Sequence, residues 1–289
     1  MKQISFSIFL FSILLLGACA KEQPKVSWLK IDKWILEENT DAVNPQGEMT
    51  HNLSQIFITM DGKSLGTFEL PVKIPVIGSG KHKFVFIPGI IENGISLTKV
   101  RYPFAEQQTT TIDLMLNDTV SYTPKTRYYS NLKFLIEDFE SPSMQIDVST
   151  ESVGTVGRNN DPTILKWGDK YGEIILTDQD SLVMFVTNFG ESLPKFGTNV
   201  YLEFDYMNTN SALISTIAYG NGDFFVDNYL QVNPQTEGKA VWKHMYINLK
   251  ENISYRQNVP NNEIQFTLIK DKKGSDRYFY IDNLKIIYP

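Results

Sequence analysis

Cysteine and histidine are scarce in this 289-residue chain, and their scarcity excludes several kinds of chemistry. The one cysteine is Cys19, and the three histidines are His51, His82 and His244. A single cysteine cannot form a disulfide within the chain, so hydrophobic cores have to hold the folded part together. It also excludes a thiolate metal cluster, and no His-Glu-x-x-His or other paired histidine spacing supports a zinc site.

Catalytic motifs are absent as well. The chain has no Gly-x-Ser-x-Gly elbow, no phosphate-binding loop and no dinucleotide-type glycine pattern. Glu203 and Asp205 form an acidic pair, but their spacing puts both on one face of a strand, where we expect surface acids rather than a glycosidase pair. A net charge of −6 provides no electrostatic footprint for nucleic acid. These absences argue against an enzyme and against a nucleic-acid partner.

The N-terminus has one long apolar run. Lys2 precedes about 13 mostly apolar residues, 4–16, which suits a signal peptide and falls short of the ~20 residues of a spanning helix. Leu16, Gly17, Ala18 and Cys19 follow. This order resembles the lipobox of bacterial lipoproteins. The resemblance implies cleavage of a signal peptide, 1–18, and acylation of Cys19, so the protein would be attached to the lipid bilayer.

Residues 19–25 form a short, polar segment, which is typical of a tether between the lipid and the folded part. Ala20 stands where an aspartate would favour retention in the inner membrane, so the lipoprotein resemblance implies the outer membrane. Lys21 and Glu22 resemble, weakly, the export signals of Bacteroidetes surface lipoproteins. Whether the protein faces the periplasm or the outside stays open.

From Val26 onward the pattern is that of β-strands. Apolar and polar residues alternate with period two, turn residues separate the runs, and no window shows helical spacing. Asp61-Gly62 is a strong hairpin signal, whereas Pro88-Gly89 predicts the end of a strand. A polar segment with a proline, 122–130, separates two strand-rich halves. We therefore predict an all-β protein with two β-sandwich domains, at 26–128 and 131–289, that fold separately.

The first half resembles the PEGA-type domain, a small Ig-like module of bacterial envelope proteins. The matching residues are Asp61-Gly62-Lys63, Gly66, Pro71, Gly80-Lys81-His82 and Gly89. The second half resembles the galactose-binding-like jelly roll of many carbohydrate-binding modules. It does so at 137–140 (EDFE), 242–249 (WKHMYINL) and 279–286 (FYIDNLKI). These resemblances imply an Ig-like domain followed by a jelly roll.

The jelly-roll resemblance also implies a place for a metal ion. The first and last strands of such folds lie side by side, often with a structural calcium near them. Calcium is bound by six to eight oxygen ligands, several of them carboxylates. Asp138, Glu140 and Asp282 are therefore the candidate calcium ligands. The alternative is that Asp282 caps a turn and the glutamate faces water.

Aromatic residues are the candidate ligand contacts. Sugar-binding jelly rolls stack a Trp or Tyr on the apolar face of a sugar ring. Trp167, Tyr171, Tyr219 and Tyr255 lie in or near loop-like segments, whereas Trp242 opens a strand and is expected to be in or near the core. We predict a non-catalytic, lipid-anchored glycan-binding protein. The alternative is an assembly subunit that contacts other envelope proteins through its sheets.

Overall fold

The computed structural model describes residues 26–289, which are built almost entirely of β-strands. The all-β prediction is therefore confirmed. The predicted signal peptide, 1–18, the lipidation site Cys19 and the tether, 19–25, lie outside the described residues. Within the part that is described, no helix has the length and apolar character needed to cross a bilayer.

The first half forms a sandwich with an additional two-stranded ladder. One sheet has the order β4-β3-β6-β7, with β8 also paired to β6; facing it is the sheet β5-β1-β9, and β2 pairs with β10. The strands are β1 (Val26–Ile31), β2 (Ile35–Leu36), β3 (Gln55–Met60), β4 (Lys63–Glu69), β5 (Val72–Ile77), β6 (Gly80–Ile91), β7 (Lys99–Arg101), β8 (Gln108–Leu114), β9 (Thr119–Tyr122) and β10 (Lys125–Thr126), with a 3-10 turn at Glu92–Gly94.

Two turn signals in this half had different outcomes. The hairpin at Asp61-Gly62 forms as predicted, and both residues have positive φ, at 49° and 79°. By contrast, β6 does not end at Pro88 but continues to Ile91. One edge of β6 pairs with β8 up to Phe86 and with β7 from Gly89 onward. Pro88 lies in the gap between these partners, where its missing N–H interrupts neither ladder.

The second half is a two-sheet sandwich. Its six-stranded sheet has the order β13-β14-β21-β16-β19, with β11 also paired to β21, and its five-stranded sheet has the order β12-β15-β20-β17-β18. The elements are β11 (Lys133–Glu137), β12 (Ile146–Val148), β13 (Gly157–Asn159), β14 (Tyr171–Leu176), β15 (Leu182–Thr187), β16 (Tyr201–Asn208), β17 (Ala212–Gly220), β18 (Asp223–Val232), β19 (Lys243–Asn248), α1 (Lys250–Tyr255), β20 (Asn261–Ile269) and β21 (Arg277–Tyr288).

Aromatic side chains join the two sheets of this sandwich. Phe185 and Phe266 stack with ring centroids 4.7 Å apart, and Phe204 from the opposite sheet meets Phe266 edge to face at 5.5 Å. The short helix α1 was not predicted, since only strands were expected here. It forms because the turn buries Ile253 completely in the same core.

The two halves share a buried contact, which we call the seam. The outer face of the six-stranded sheet packs against the first half, and Tyr201, Tyr246 and Ile287 join the first hydrophobic core. All eight residues of β16 are buried as a result. The domain limits 26–128 and 131–289 remain a prediction, but the two halves are in close contact along this face.

Candidate functional site

Buried charges occupy the centre of the seam. Glu203 is fully buried, and both Tyr102 and Tyr128 of the first half donate their hydroxyls to its carboxylate, the latter at 3.0 Å. His244 lies beside it, with Nε2 3.3 Å from Glu203 Oε2. The expectation that Glu203 and Asp205 are surface acids is wrong. They do share one face of β16, but the first half covers that face.

Asp205 holds the other side of the same histidine. Its Oδ1 lies 3.0 Å from His244 Nδ1, and its Oδ2 accepts a hydrogen bond from the Asn283 amide at 3.2 Å. Burial alone would lower the pKa of His244, but the carboxylates of Asp205 and Glu203 outweigh it and raise that pKa to about 9. His244 is therefore an imidazolium at neutral pH, held between two carboxylates.

A cavity of about 500 Å³ opens beside this charge cluster, and we call it the seam cavity. Both halves of the chain line it, together with the loop that precedes β14. The lining includes His51 and Gly94 from the first half, Lys166 and Trp167 from the loop, Trp242 just before β19 and Lys243 at its first position. Burial, and then the charge of His244, lower the pKa of His51 to about 4, so this ring is neutral at pH 7.

Five aromatic side chains extend from the seam cavity across the outer face of the sheet. Trp167 and Trp242 meet edge to face at 5.6 Å, Trp242 and Tyr171 at 6.1 Å, and Tyr171 and Tyr280 at 5.3 Å. Tyr280 then stacks on Tyr278 at 4.5 Å. We call these five residues the aromatic row. Its tyrosines lie on neighbouring antiparallel strands, β14 and β21, where alternation brings them to the same face.

The loop that carries Trp167 is fixed at three points. Trp242 Nε1 donates to the Ile164 carbonyl at 2.8 Å. Glu140 Oε1 accepts from the backbone amides of Asp169 and Lys170, at 2.7 and 3.0 Å. Gly168 has φ +57°, and a Cβ there would lie only 2.1 Å from that same Glu140 oxygen. The close approach requires glycine at this position and positions Trp167 at the cavity.

The three candidate calcium ligands already accept backbone hydrogen bonds. Glu140 holds the loop, Asp138 Oδ1 accepts from the Glu140 amide at 3.2 Å, and Asp282 Oδ1 accepts from the Asn283 amide at 2.7 Å. Burial, helped by the charges of Asp205, Glu140 and Asp138, raises the pKa of Asp282 to about 8. Residues 26–289 contain no group of three or more His, Cys, Asp or Glu placed to hold a metal. Calcium at these residues stays a prediction.

The four predicted aromatic contacts do not form one site. Trp167 and Tyr171 belong to the aromatic row, although Tyr171 is almost fully buried and supports its neighbours. Tyr219 donates to Glu263 at 2.6 Å beside a separate cavity of about 120 Å³, and Tyr255 is exposed on α1. The prediction of site residues missed three members of the row. The sequence predicts Trp242 in or near the core, and the predicted contacts do not include Tyr278 and Tyr280, although their i, i+2 spacing on a predicted strand is a usable signal.

The groups at this site are arranged in a way that suits ligand binding. Both carboxylates at the seam have their oxygens occupied by His244, Asn283 or tyrosine hydroxyls, so neither is free to transfer a proton to a ligand. The aromatic row presents ring faces and edges next to a cavity with amide, imidazole and ammonium groups. Apolar ring surface beside a few polar groups is the usual composition of a small-molecule or sugar site.

Comparisons with known proteins give only distant structural likenesses. No protein-family model matches the chain, and no curated protein matches it. The K1 cleaved adhesin domain of Lys-gingipain from Porphyromonas gingivalis shares 14% identity, with 53% of this chain and 97% of that one covered and a TM-score of 0.38. The family 11 carbohydrate-binding module of a Clostridium thermocellum cellulase shares 18% identity over 55% and 95% of the two chains, with a TM-score of 0.34.

A viral protein shows a similar likeness. The enzymatically active domain of bacteriophage CBA120 tailspike protein 4 shares 17% identity over 52% of this chain, with a TM-score of 0.36, and the match covers only 20% of the tailspike chain. The structural neighbours thus include carbohydrate-binding modules, adhesin domains and one enzyme domain. With TM-scores of 0.34 to 0.38, these likenesses establish neither fold nor ligand.

Proposed function

We propose that this protein is a non-catalytic glycan-binding lipoprotein of the outer membrane, with the aromatic row as the binding surface. The observation that carries the proposal is the row itself, five ring side chains that end at a cavity lined by polar groups. Trp167 and Trp242 are partly exposed at the cavity, and both are fixed by neighbouring contacts. Rings held in place in this way lose little conformational entropy when a sugar stacks on them.

The proposal is tested by binding of the mature protein, purified in detergent, to a broad glycan array, followed by titration calorimetry on the best glycan. We expect dissociation constants in the micromolar to millimolar range, since a shallow site with a few stacking contacts supplies about 4 to 8 kcal/mol. Trp167→Ala and Trp242→Ala should each weaken binding about tenfold or more. Trp28→Ala, on β1 and also partly exposed, is the matched control and should leave binding unchanged.

The lipid anchor is a separate part of the proposal. It is supported by the order of the positive charge, the apolar run and Cys19 at the N-terminus. Cys19→Ala should leave the protein unprocessed or soluble, because stable attachment takes two or three acyl chains. Partitioning into detergent phase is the measurement, and an unchanged membrane fraction for the variant would contradict the anchor.

An assembly role is the second candidate, and the edge strand β18 supports it. Phe224 and Val226 lie on this strand and are exposed by 66% and 45%. An edge strand with exposed apolar side chains can pair with another protein. A blank glycan array together with a reproducible envelope-protein partner in cross-linking, lost in Phe224→Asp, would decide for this role.

A further inference from the structure

We infer that the seam cavity selects acidic glycans, whose carboxylate or sulfate groups bind Lys166 and Lys243. This inference rests on the proposed function and adds a ligand class to it. It arises from the position of the two lysines and from the charges that surround them.

The two lysines flank the tryptophans at the cavity end of the aromatic row. Both line the seam cavity, and Lys166 Nζ lies 4.5 Å from the ring centroid of Trp167. Neither ammonium group forms an ion pair with any residue in the described range 26–289, although nine other cationic residues do. The Lys166 ammonium lies over the ring, but the lysine side chain is flexible, so the ammonium can leave the ring face and contact an anionic substituent of a sugar that stacks there.

The carboxylate that lines the cavity already has partners within the protein. Among the lining residues that the structure describes, Asp205 is the one with a carboxylate. Its Oδ1 lies 3.0 Å from Nδ1 of the His244 imidazolium. The charges of Lys166 and Lys243 therefore remain available for a ligand.

The opposite end of the aromatic row carries a negative charge instead of positive ones. Glu173 pairs with Tyr280 across β14 and β21, and its carboxylate accepts a hydrogen bond from Asn159 at 2.9 Å. An anionic group at that end would face a fixed carboxylate. The charge difference along the row thus orients an acidic sugar with its anionic group at the seam cavity.

The inference is tested with glycans matched in backbone and different in charge. Pectate against fully methyl-esterified pectin tests carboxylates, and dextran sulfate against dextran tests sulfates, beside the broad array. We expect the wild-type protein to bind the charged member of at least one pair about tenfold more tightly, with a difference that shrinks as salt rises. The double variant Lys166→Gln/Lys243→Gln should bind both members equally.

The control variant is Lys81→Gln/Lys272→Gln, which makes the same change in net charge at two exposed lysines outside the cavity. It should keep the preference for the charged glycan. Binding to neutral glycans alone, or a preference that survives in the cavity double variant, overturns the inference while the proposed function stands. An array on which no glycan of either charge binds overturns both.

Discussion

The two hydrophobic cores of this protein differ in where their side chains come from. The core of the second sandwich consists of residues between Phe139 and Tyr288 only. The core of the first sandwich includes Tyr201, Tyr246 and Ile287 from the second half. The second sandwich therefore closes its own interior, whereas the first is completed by its neighbour. Separate folding of the two halves stays a prediction, and the shared core is a structural reason to test it.

Cutting the chain near Ser130 is expected to change the stability of the two halves more than any other test of this contrast. A fragment of residues 131–289 would expose Tyr201, Tyr246 and Ile287, and full exposure of each apolar side chain costs about 1.5 to 3 kcal/mol. We expect that fragment to unfold cooperatively but to be less stable than the intact protein by roughly 5 kcal/mol. The fragment 26–130 should not unfold cooperatively. Urea denaturation followed by circular dichroism measures both, and equal midpoints for the fragments and the intact chain would contradict the shared core.

Glu203→Ala breaks the seam without touching either sheet core. The substitution leaves the hydroxyls of Tyr102 and Tyr128 without their acceptor and His244 without one of its two carboxylates. Removing one partner of a buried charged network costs about 3 to 5 kcal/mol. The control is Glu173→Ala on the same sheet, which should cost about 1 kcal/mol because its carboxylate is only partly buried. Comparable losses for the two variants would mean that the seam adds little stability.

Asp282→Asn tests how the stability of the second sandwich depends on pH. The folded pKa of Asp282 is about 8 and the unfolded value is 3.8, so wild-type stability falls as pH rises between those values. Asn cannot ionise, so the variant should match the wild type near pH 4 and exceed its stability at pH 8 by about 5 kcal/mol. Melting curves in chelator test this, with Asp138→Asn as the control. If millimolar calcium instead raises the wild-type melting temperature and Asp282→Asn abolishes the rise, the predicted calcium site is present.

His244 makes a second contribution to the pH dependence of stability, and the Asp282→Asn substitution does not remove it. Its pKa rises from 6.5 to about 9 on folding, so the stability it contributes is complete below pH 6.5 and is lost as pH rises through 9. His51 acts in the opposite direction, because its folded pKa of about 4 costs stability as pH falls below 6.5. The Asp282→Asn variant should therefore be most stable near pH 6.5, which the same melting series measures.

Tyr255→Ala should have the smallest effect. The side chain is 72% exposed on α1 and lies over the Arg256 guanidinium, outside both cores and the aromatic row. We expect a change in unfolding free energy of about 0.5 kcal/mol or less and unchanged glycan binding. A loss of binding would move the ligand site to the five-stranded sheet and away from the seam.

The strands were largely predictable, because alternation and turn chemistry are local. The hairpin at Asp61-Gly62 forms between β3 and β4, as its turn chemistry predicts. The extension of β6 through Pro88 was not predictable, since it depends on which strand pairs with each part of its edge. The helix α1 likewise forms because Ile253 reaches a core that only the assembled sheets provide.

The site was less predictable, because alternation does not distinguish a covered face from an exposed one. Glu203 and Asp205 look like surface acids until the first half is packed against β16. Trp242 looked like a core residue because it opens a strand, yet it lines the seam cavity. Trp167 is predicted from its loop position, but its ordering depends on Glu140, which the sequence predicts as a calcium ligand.

The central position of β21 has a consequence for synthesis of the protein. This strand pairs with β11 and β14 on one edge and with β16 on the other. β11 therefore obtains its one partner in the sheet, and β14 and β16 obtain their second, only when residues 277–288 have been made. The apolar strands of the six-stranded sheet therefore emerge from the ribosome well before their sheet can close. A factor that shields unpaired strands during translation and export should increase the yield of folded protein.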